Sequence, residues 1–331
     1  MVSASRGSTS GTSTGVPVLD LASHDEVDLA ARLDTGFRTW GSVVVTGHGI
    51  RTDLLSSLSN HLLEFFRLRA DVKAKYASRR TGDFGWIDRS DVGGGGQWEL
   101  CEVYAAGPWG EPGAPTDGMS PEAQAMTIGT NKWPDEVPRL RDLWLDYYEA
   151  AERPADLLLR LAALALSEPD DTFARHHRNP ISPMIANWYP PQPSPPEPGR
   201  IRKGAHSDWG SLTLLWHDGT PGLELRDDAG TWSPLQAPID SLIVNVGDLM
   251  ARWTNGRWKA AVHRVANPTG VYTSRERISI AWFGQPDYDA LVHVLASCVS
   301  PDNPARYEPV GSGDWYSSRM RNAYQFSAAG R

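Results

Sequence analysis

The sequence has only two cysteines, Cys101 and Cys298. A disulfide framework is therefore not implied, and reduced thiols in a cytoplasmic protein are the expectation. No apolar run approaches the roughly 18 residues of a membrane span, so no membrane partner is expected. Positive charge is in deficit: 32 Lys and Arg against 40 Asp and Glu leave a formal net charge of −8. Phosphate backbones need a basic surface, so a nucleic-acid partner is disfavoured. Residues 1–15 lack the apolar stretch of a secretory signal. They are rich in Ser, Thr and Gly, and a disordered tail is the expectation. The glycine run Gly93–Gly96 is followed by no Lys-Ser/Thr pair, so it is not a phosphate loop. Residues 79–97 are expected to form a flexible loop at a substrate mouth. No internal repeat is visible.

An ordinary globular composition remains, 40% hydrophobic and 22% charged over 331 residues. Val16 to Leu21 reads as a first strand. Val27, Leu29, Ala30, Leu33 and Phe37 have the spacing of an amphipathic helix over 24–40. Ser42 to Thr46 reads as a buried strand, and a second helix is expected over 52–68, with Thr52 or Asp53 as its cap. His48, in a Thr-Gly-His-Gly turn, is expected to be structural. Trp98 to Tyr104 alternates weakly, as one strand facing the site would. A long helical pattern covers 138–167, with Pro154 expected to kink or divide it. Six prolines between 190 and 198 mark an extended loop. From 201 to 286 short strands alternate with Gly, Asp and Asn turns, as in a jelly roll. The expected division is a tail at 1–15, a helix- and strand-containing region at 16–180, a jelly-roll core at 181–290, and a C-terminal segment at 291–331 that could act as a lid.

The chemistry is concentrated between His206 and Ser279. His206 and Asp208 are two positions apart, so on a strand both point to one face. His263 lies 57 positions later (263 − 206), in the short strand pattern Ala-Val-His-Arg-Val. Arg277 and Ser279 are again two apart, in Arg-Ile-Ser-Ile-Ala-Trp-Phe. Polar groups pointing inward from several strands are costly unless a ligand or metal satisfies them. A lone His-x-Asp pair is common by chance, and a lone Arg-x-Ser says little. Together, in this order, they match the two-His-one-carboxylate set of non-haem iron(II) sites, beside an Arg and a hydroxyl suited to a keto-acid carboxylate.

These motifs resemble those of the 2-oxoglutarate/iron(II)-dependent dioxygenases of the isopenicillin N synthase-like family. Asn187-Trp-Tyr-Pro-Pro191 is similar to that family's Asn-Tyr-Tyr-Pro-Pro, and His206-Ser-Asp-Trp-Gly to its His-Thr-Asp segment. Gly222-Leu-Glu-Leu225 and the block from Asn245 to Val265 resemble its later motifs. The likeness extends to Gly41–Ile50, Asn131–Pro134 and Pro309–Met320, and so covers nearly the whole chain. It implies an α+β, mainly β fold: a double-stranded β-helix, or jelly roll, with a helical N-terminal region backing the sheet. It implies Fe(II) on His206, Asp208 and His263, and 2-oxoglutarate held by Arg277, Ser279 and Tyr189. It implies dioxygen as oxidant and decarboxylation of the keto acid to succinate and carbon dioxide, coupled to hydrogen removal from a small-molecule substrate. Hydroxylation is the modal outcome; desaturation, epoxidation and cyclisation use the same residues. A tailoring step in secondary metabolism, such as antibiotic biosynthesis, fits the group, in a monomer or weak homo-oligomer.

Phe283, Trp98, Tyr104 and Met320 are candidates for the substrate pocket. The 14 positions from His263 to Arg277 (277 − 263) are more than in many relatives. Two other readings stay open: an iron oxidase that takes all its electrons from its substrate, like isopenicillin N synthase, and a degenerate member that only binds a ligand.

Overall fold

A computed structural model describes residues 12, 14–78, 84–89, 93–94, 97–107, 110–111, 119–121, 124 and 131–328. The expected tail falls almost wholly outside the described residues. The stretch 79–97 is not the loop expected: Gly85–Asp88 forms a strand of an eight-stranded sheet and Gly93–Gly94 a short strand, while 79–83, 90–92 and 95–96 lie outside the described residues.

Two sheets dominate. The larger has eight strands: β1 (Val18–Asp20), β2 (Ser42–Thr46), β3 (Gly85–Asp88), β6 (Glu102–Ala106), β7 (Met184–Tyr189), β10 (Leu212–His217), β13 (Leu242–Val246) and β15 (Arg277–Gly284). Their order is β1-β2-β13-β10-β15-β7-β6-β3. Only the β1–β2 pair is parallel. The smaller has the order β12-β11-β14-β9, from β9 (Lys203–His206), β11 (Leu223–Arg226), β12 (Trp232–Pro234) and β14 (His263–Val265). Two short sheets complete the set: β4 (Gly93–Gly94) with β5 (Gln97–Glu99) and β8 (Arg200–Ile201), and β16 (Leu291–Val292) with β17 (Val310–Gly311). Antiparallel strands that alternate in sequence between two sheets make a jelly-roll core. The early strands β1, β2, β3 and β6 extend both edges of the large sheet, whose centre is β13, β10, β15 and β7.

The two-residue period of a strand sorts side chains between two environments. On β15, Ile278, Ile280 and Trp282 join the largest apolar cluster, with Leu212, Leu214 and Trp216 of β10. Helices α1 (Glu26–Thr39), α2 (Thr52–Phe66) and α4 (Leu140–Ala165) fill the same cluster, through residues such as Leu33, Leu62 and Leu158. A four-residue α3 (Ala70–Lys73) follows α2. Helix α4 packs on α1 and α2 and lies against β10 and β15. On the other face of β15 stand Arg277, Ser279, Ala281 and Phe283. Burying one Leu-sized side chain stabilises by roughly 1.5–3 kcal/mol. A one-residue slip of β15 would turn Arg277 and Ser279 into the helical core, so packing fixes the register.

Several local expectations need correction. Thr52 and Asp53 do not cap α2: its cap position is Arg51, without a side-chain cap bond, and Asp53 instead accepts from Arg51. Helix α4 runs through Pro154 as one element. The ring removes one helical hydrogen bond, but Pro154 is buried in the packed layer. The strand expected over 98–104 is two strands in different sheets, β5 and β6. His48, by contrast, is placed as a structural residue would be: it is buried, with Nε2 at 2.9 Å from the Asp240 carbonyl and Nδ1 accepting from the Ile50 amide.

Candidate active site

β9 and β14 are antiparallel neighbours, and His206 and His263 face one another in register. Asp208 follows β9, and its Oδ1 lies 4.0 Å from Nε2 of each histidine. One donor atom from each of the three side chains lies within 4.8 Å of the others. Each histidine Nδ1 is 2.9 Å from the backbone carbonyl two residues earlier, Gly204 for His206 and Ala261 for His263. A carbonyl only accepts, so Nδ1 carries the hydrogen and Nε2 presents its lone pair to the shared space. Burial, and then the neighbouring His263, lower the His206 pKa below the usual imidazole value, which keeps the ring neutral at pH 7. Asp208 is buried, and its Oδ2 has no hydrogen-bond partner among the described residues. An orphaned buried carboxylate oxygen is costly, and a cation among the three ligating atoms relieves it. Two imidazole nitrogens and one carboxylate are a donor set that fits iron(II).

A backbone clamp places Asp208. The start of helix α5 (Asp248–Trp253) presents three successive amides to the loop after β9. Gly247, Asp248 and Leu249 donate to the carbonyls of Ser211, Asp208 and Gly210, at 2.8, 2.8 and 3.0 Å. A Cβ on Gly247 would stand 2.2 Å from the Gly210 carbonyl oxygen, so only glycine permits this approach. Ser207 donates to Asp248 Oδ1 at 2.8 Å, and Arg319 of helix α6 (Ser312–Ala328) donates to Asp248 Oδ2 at 2.8 Å. Trp315, also on α6, donates to the Trp209 carbonyl.

The second polar cluster lies where β7, β10 and β15 run side by side. Arg277 is opposite Tyr189, and Ser279 is flanked by Asn187 and His217. Arg277 is buried; it donates through Nη1 to Ser279 Oγ at 3.1 Å and through Nε to the Thr220 carbonyl at 3.2 Å. Its guanidinium lies 5.1 Å from the centre of the Tyr189 ring. Burial pushes the Tyr189 hydroxyl well above its usual pKa, so it stays protonated. Arg202, which sequence reasoning missed, is also fully buried over the Tyr189 ring, at 5.9 Å. Its Nη2 donates to the carbonyls of Pro190 and Arg275, while Nε and Nη1 lack partners among the described residues. Burial, and then the charge of Arg277, lowers the Arg202 pKa to about 10. Arg202 immediately precedes β9, and the register of β9 against β14 shifts between Lys203 and His206, so the two-residue period does not show its placement. Lys203, also missed, donates to Asn187 Oδ1 at 2.7 Å.

The four candidate substrate residues scatter. Phe283 is on the inter-sheet face, opposite Thr213, and packs against the Leu215–Ile243 cluster. Met320 is buried on α6. Trp98 is 45% exposed on β5. Tyr104 is not on the site's face: it packs with Phe65 and Trp144 in the helical layer, and its hydroxyl donates to the Lys132 carbonyl. The Trp98–Tyr104 segment changes sheets, and that carries Tyr104 to the opposite side.

A jelly roll that brings together two histidines from neighbouring strands and a carboxylate from the loop after one of them is the architecture of a non-haem iron oxygenase. Residues 180–286 match the 2OG-Fe(II) oxygenase superfamily, and residues 16–136 match the family described as non-haem dioxygenase in morphine synthesis N-terminal. Validamycin A dioxygenase of Streptomyces hygroscopicus subsp. limoneus is 31% identical over 299 residues, 86% of this chain and 80% of the relative. A 2OG-Fe(II) oxygenase family protein of Caulobacter crescentus has a crystal structure similar to this one, with TM-score 0.82 and 26% identity over 94% of this chain and 99% of that one. The crystal structure of JOX2 in complex with 2OG, Fe and JA has TM-score 0.77 and 26% identity, covering 92% of this chain and 85% of that one. The chain belongs to the 2OG-Fe(II) oxygenase superfamily. It is a 2-oxoglutarate-dependent dioxygenase, an oxidoreductase that uses iron(II) and 2-oxoglutarate. Among the described residues, no helix is long and apolar enough to cross a membrane.

Proposed function

We propose that this enzyme oxidises a small-molecule metabolite, with hydroxylation as the modal outcome, at an iron held by His206, Asp208 and His263. The carrying observation is the convergence of two lone-pair-presenting Nε2 atoms on a buried carboxylate with an orphaned oxygen. Iron(II) with 2-oxoglutarate supplies oxidation of a C–H bond by dioxygen, with release of succinate and carbon dioxide. The chain's own residues bind and orient. The backbone carbonyls of Gly204 and Ala261 hold the two imidazoles in the ligating tautomer. The clamp from Gly247 to Leu249 fixes the carboxylate. Arg277 and Ser279 receive the distal carboxylate of 2-oxoglutarate, and Tyr189 adds a hydroxyl donor beside Ser279. Helix α6 is tied to the metal-bearing loop through Arg319, Asp248 and Ser207 and steadies it. A relative named for validamycin A and a neighbour holding JA support a small-molecule substrate.

The experiment is an anaerobic titration of the iron(II)-loaded protein with 2-oxoglutarate, following the visible charge-transfer band of a chelated keto acid. The band is expected to saturate in the wild type. A hydrogen bond to a charged group contributes about 1.5–3 kcal/mol, so Arg277→Ala should weaken binding on the order of 10–100-fold. Iron binding with no band, or a band unaffected by Arg277→Ala, would overturn the cosubstrate assignment.

A further inference from the structure

His217 ends β10, two positions beyond Leu215 and on the same inter-sheet face. Its Nδ1 accepts the backbone hydrogen of Gly219 at 3.1 Å. A ring nitrogen that accepts a hydrogen bond bears no proton, so the neutral ring carries its hydrogen on Nε2. That Nε2 is buried without a partner among the described residues, in a side chain only 7% exposed. His48 shows the satisfied alternative: it too accepts an amide hydrogen on Nδ1, but its Nε2 meets a carbonyl. Buried donors are almost always paired, so an orphan points to a missing acceptor.

The surroundings say what the acceptor is. His217 stands opposite Ser279 in register. Burial first, and the charge of Arg277 second, lower its pKa to about 4, so it is a neutral donor at pH 7. Ser279 Oγ already accepts from Arg277, which leaves its own hydrogen to give. Among the described residues no carboxylate forms an ion pair with Arg277 or Arg202. Asp218, the carboxylate beside His217, accepts from the Thr220 amide through Oδ1 and from the Ile278 amide through Oδ2. The cluster is therefore rich in donors and cations and poor in uncommitted acceptors, which is the complement of a carboxylate. A third cation here would be repelled by the two guanidiniums. A neutral imidazole N–H adds a hydrogen bond without adding charge.

We propose that His217, through its Nε2 hydrogen, is a third binding group for the distal carboxylate of the keto acid, alongside Arg277 and Ser279. The inference rests on the assignment of that carboxylate to the Arg277–Ser279 pair. It makes His217 a determinant of the preference for a dicarboxylic over a monocarboxylic keto acid.

The test compares 2-oxoglutarate with 2-oxopentanoate, which keeps the chelating end and lacks the distal carboxylate. Binding of each to the iron(II)-loaded protein is read anaerobically from the charge-transfer band, with iron stoichiometry and thermal midpoint as controls for folding. His217→Leu and His217→Met, two apolar replacements, should weaken 2-oxoglutarate about tenfold or more and leave 2-oxopentanoate unchanged. His217→Gln, whose amide N–H takes the place of the ring donor, should recover most of the loss. Unchanged 2-oxoglutarate binding in a folded apolar variant would overturn the proposal. Equal weakening of both keto acids would also overturn it, because a merely structural histidine behaves so. Arg277→Leu, run in parallel, separates the two claims. If it removes the dicarboxylate preference while the His217 variants do not, only the role of His217 fails. If Arg277→Leu leaves the preference intact, the underlying assignment fails and the inference falls with it.

Discussion

His206 and His263 lie directly opposite one another across the β9–β14 pair, with ring centroids 4.2 Å apart. Two imidazoles so placed, each with its lone pair turned to the same buried carboxylate, have little reason to meet except around an ion. Asp208→Asn keeps the shape and removes the charge. Iron(II) binding should fall from one per chain to near none at micromolar metal, measured by equilibrium dialysis. The metal-free variant should melt no lower than the metal-free wild type, because the substitution also removes an unpaired buried carboxylate. Undiminished iron binding would sink the ligand assignment.

Stability should decline in mild acid. Burial holds both His177 and His217 at about 4 in the folded chain, against roughly 6.5 unfolded. Between these values the unfolded chain binds more protons, so stability rises with pH across that window. The contribution is fully present above about pH 6.5 and is lost as pH falls towards 4. Each histidine accounts for up to about 3 kcal/mol of it. Urea midpoints measured from pH 7 down to 4.5 should fall steadily, and His177→Asn should flatten the slope. A midpoint independent of pH would show that these rings are not buried neutral.

Tyr104 gives a negative control for the site. Its hydroxyl bonds to the Lys132 carbonyl within the helical layer. Tyr104→Phe should cost about 1 kcal/mol of stability and leave keto-acid affinity and succinate release unchanged. A selective loss of affinity at unchanged stability would return this residue to the site.

The chain by itself named the candidate metal ligands His206, Asp208 and His263 and the period that presents Arg277 and Ser279 together. Asp208, expected on the same strand as His206, lies just past the end of β9, and the backbone clamp from Gly247 to Leu249 places it. Arg277-x-Ser279 is a local pattern on β15, where strand geometry alone puts the pair on one face. The amphipathic spacing of α1, α2 and α4 is local in the same sense. Failures came wherever a long-range contact overrode a local rule. Packing carries α4 through Pro154. The sheet change after β5 sends Tyr104 to the helical side, although its alternation reads as site-facing. Arg202 and His217 looked ordinary, because what makes them exceptional is burial of side-chain nitrogens that lack a partner among the described residues. That burial comes from strand neighbours distant in sequence: Ser279 beside His217, and Pro190 and Arg275 around Arg202. Sequence specifies which groups a strand presents. Only the folded sheets decide which groups share a low-dielectric space, because desolvation and register are properties of the whole assembly of strands.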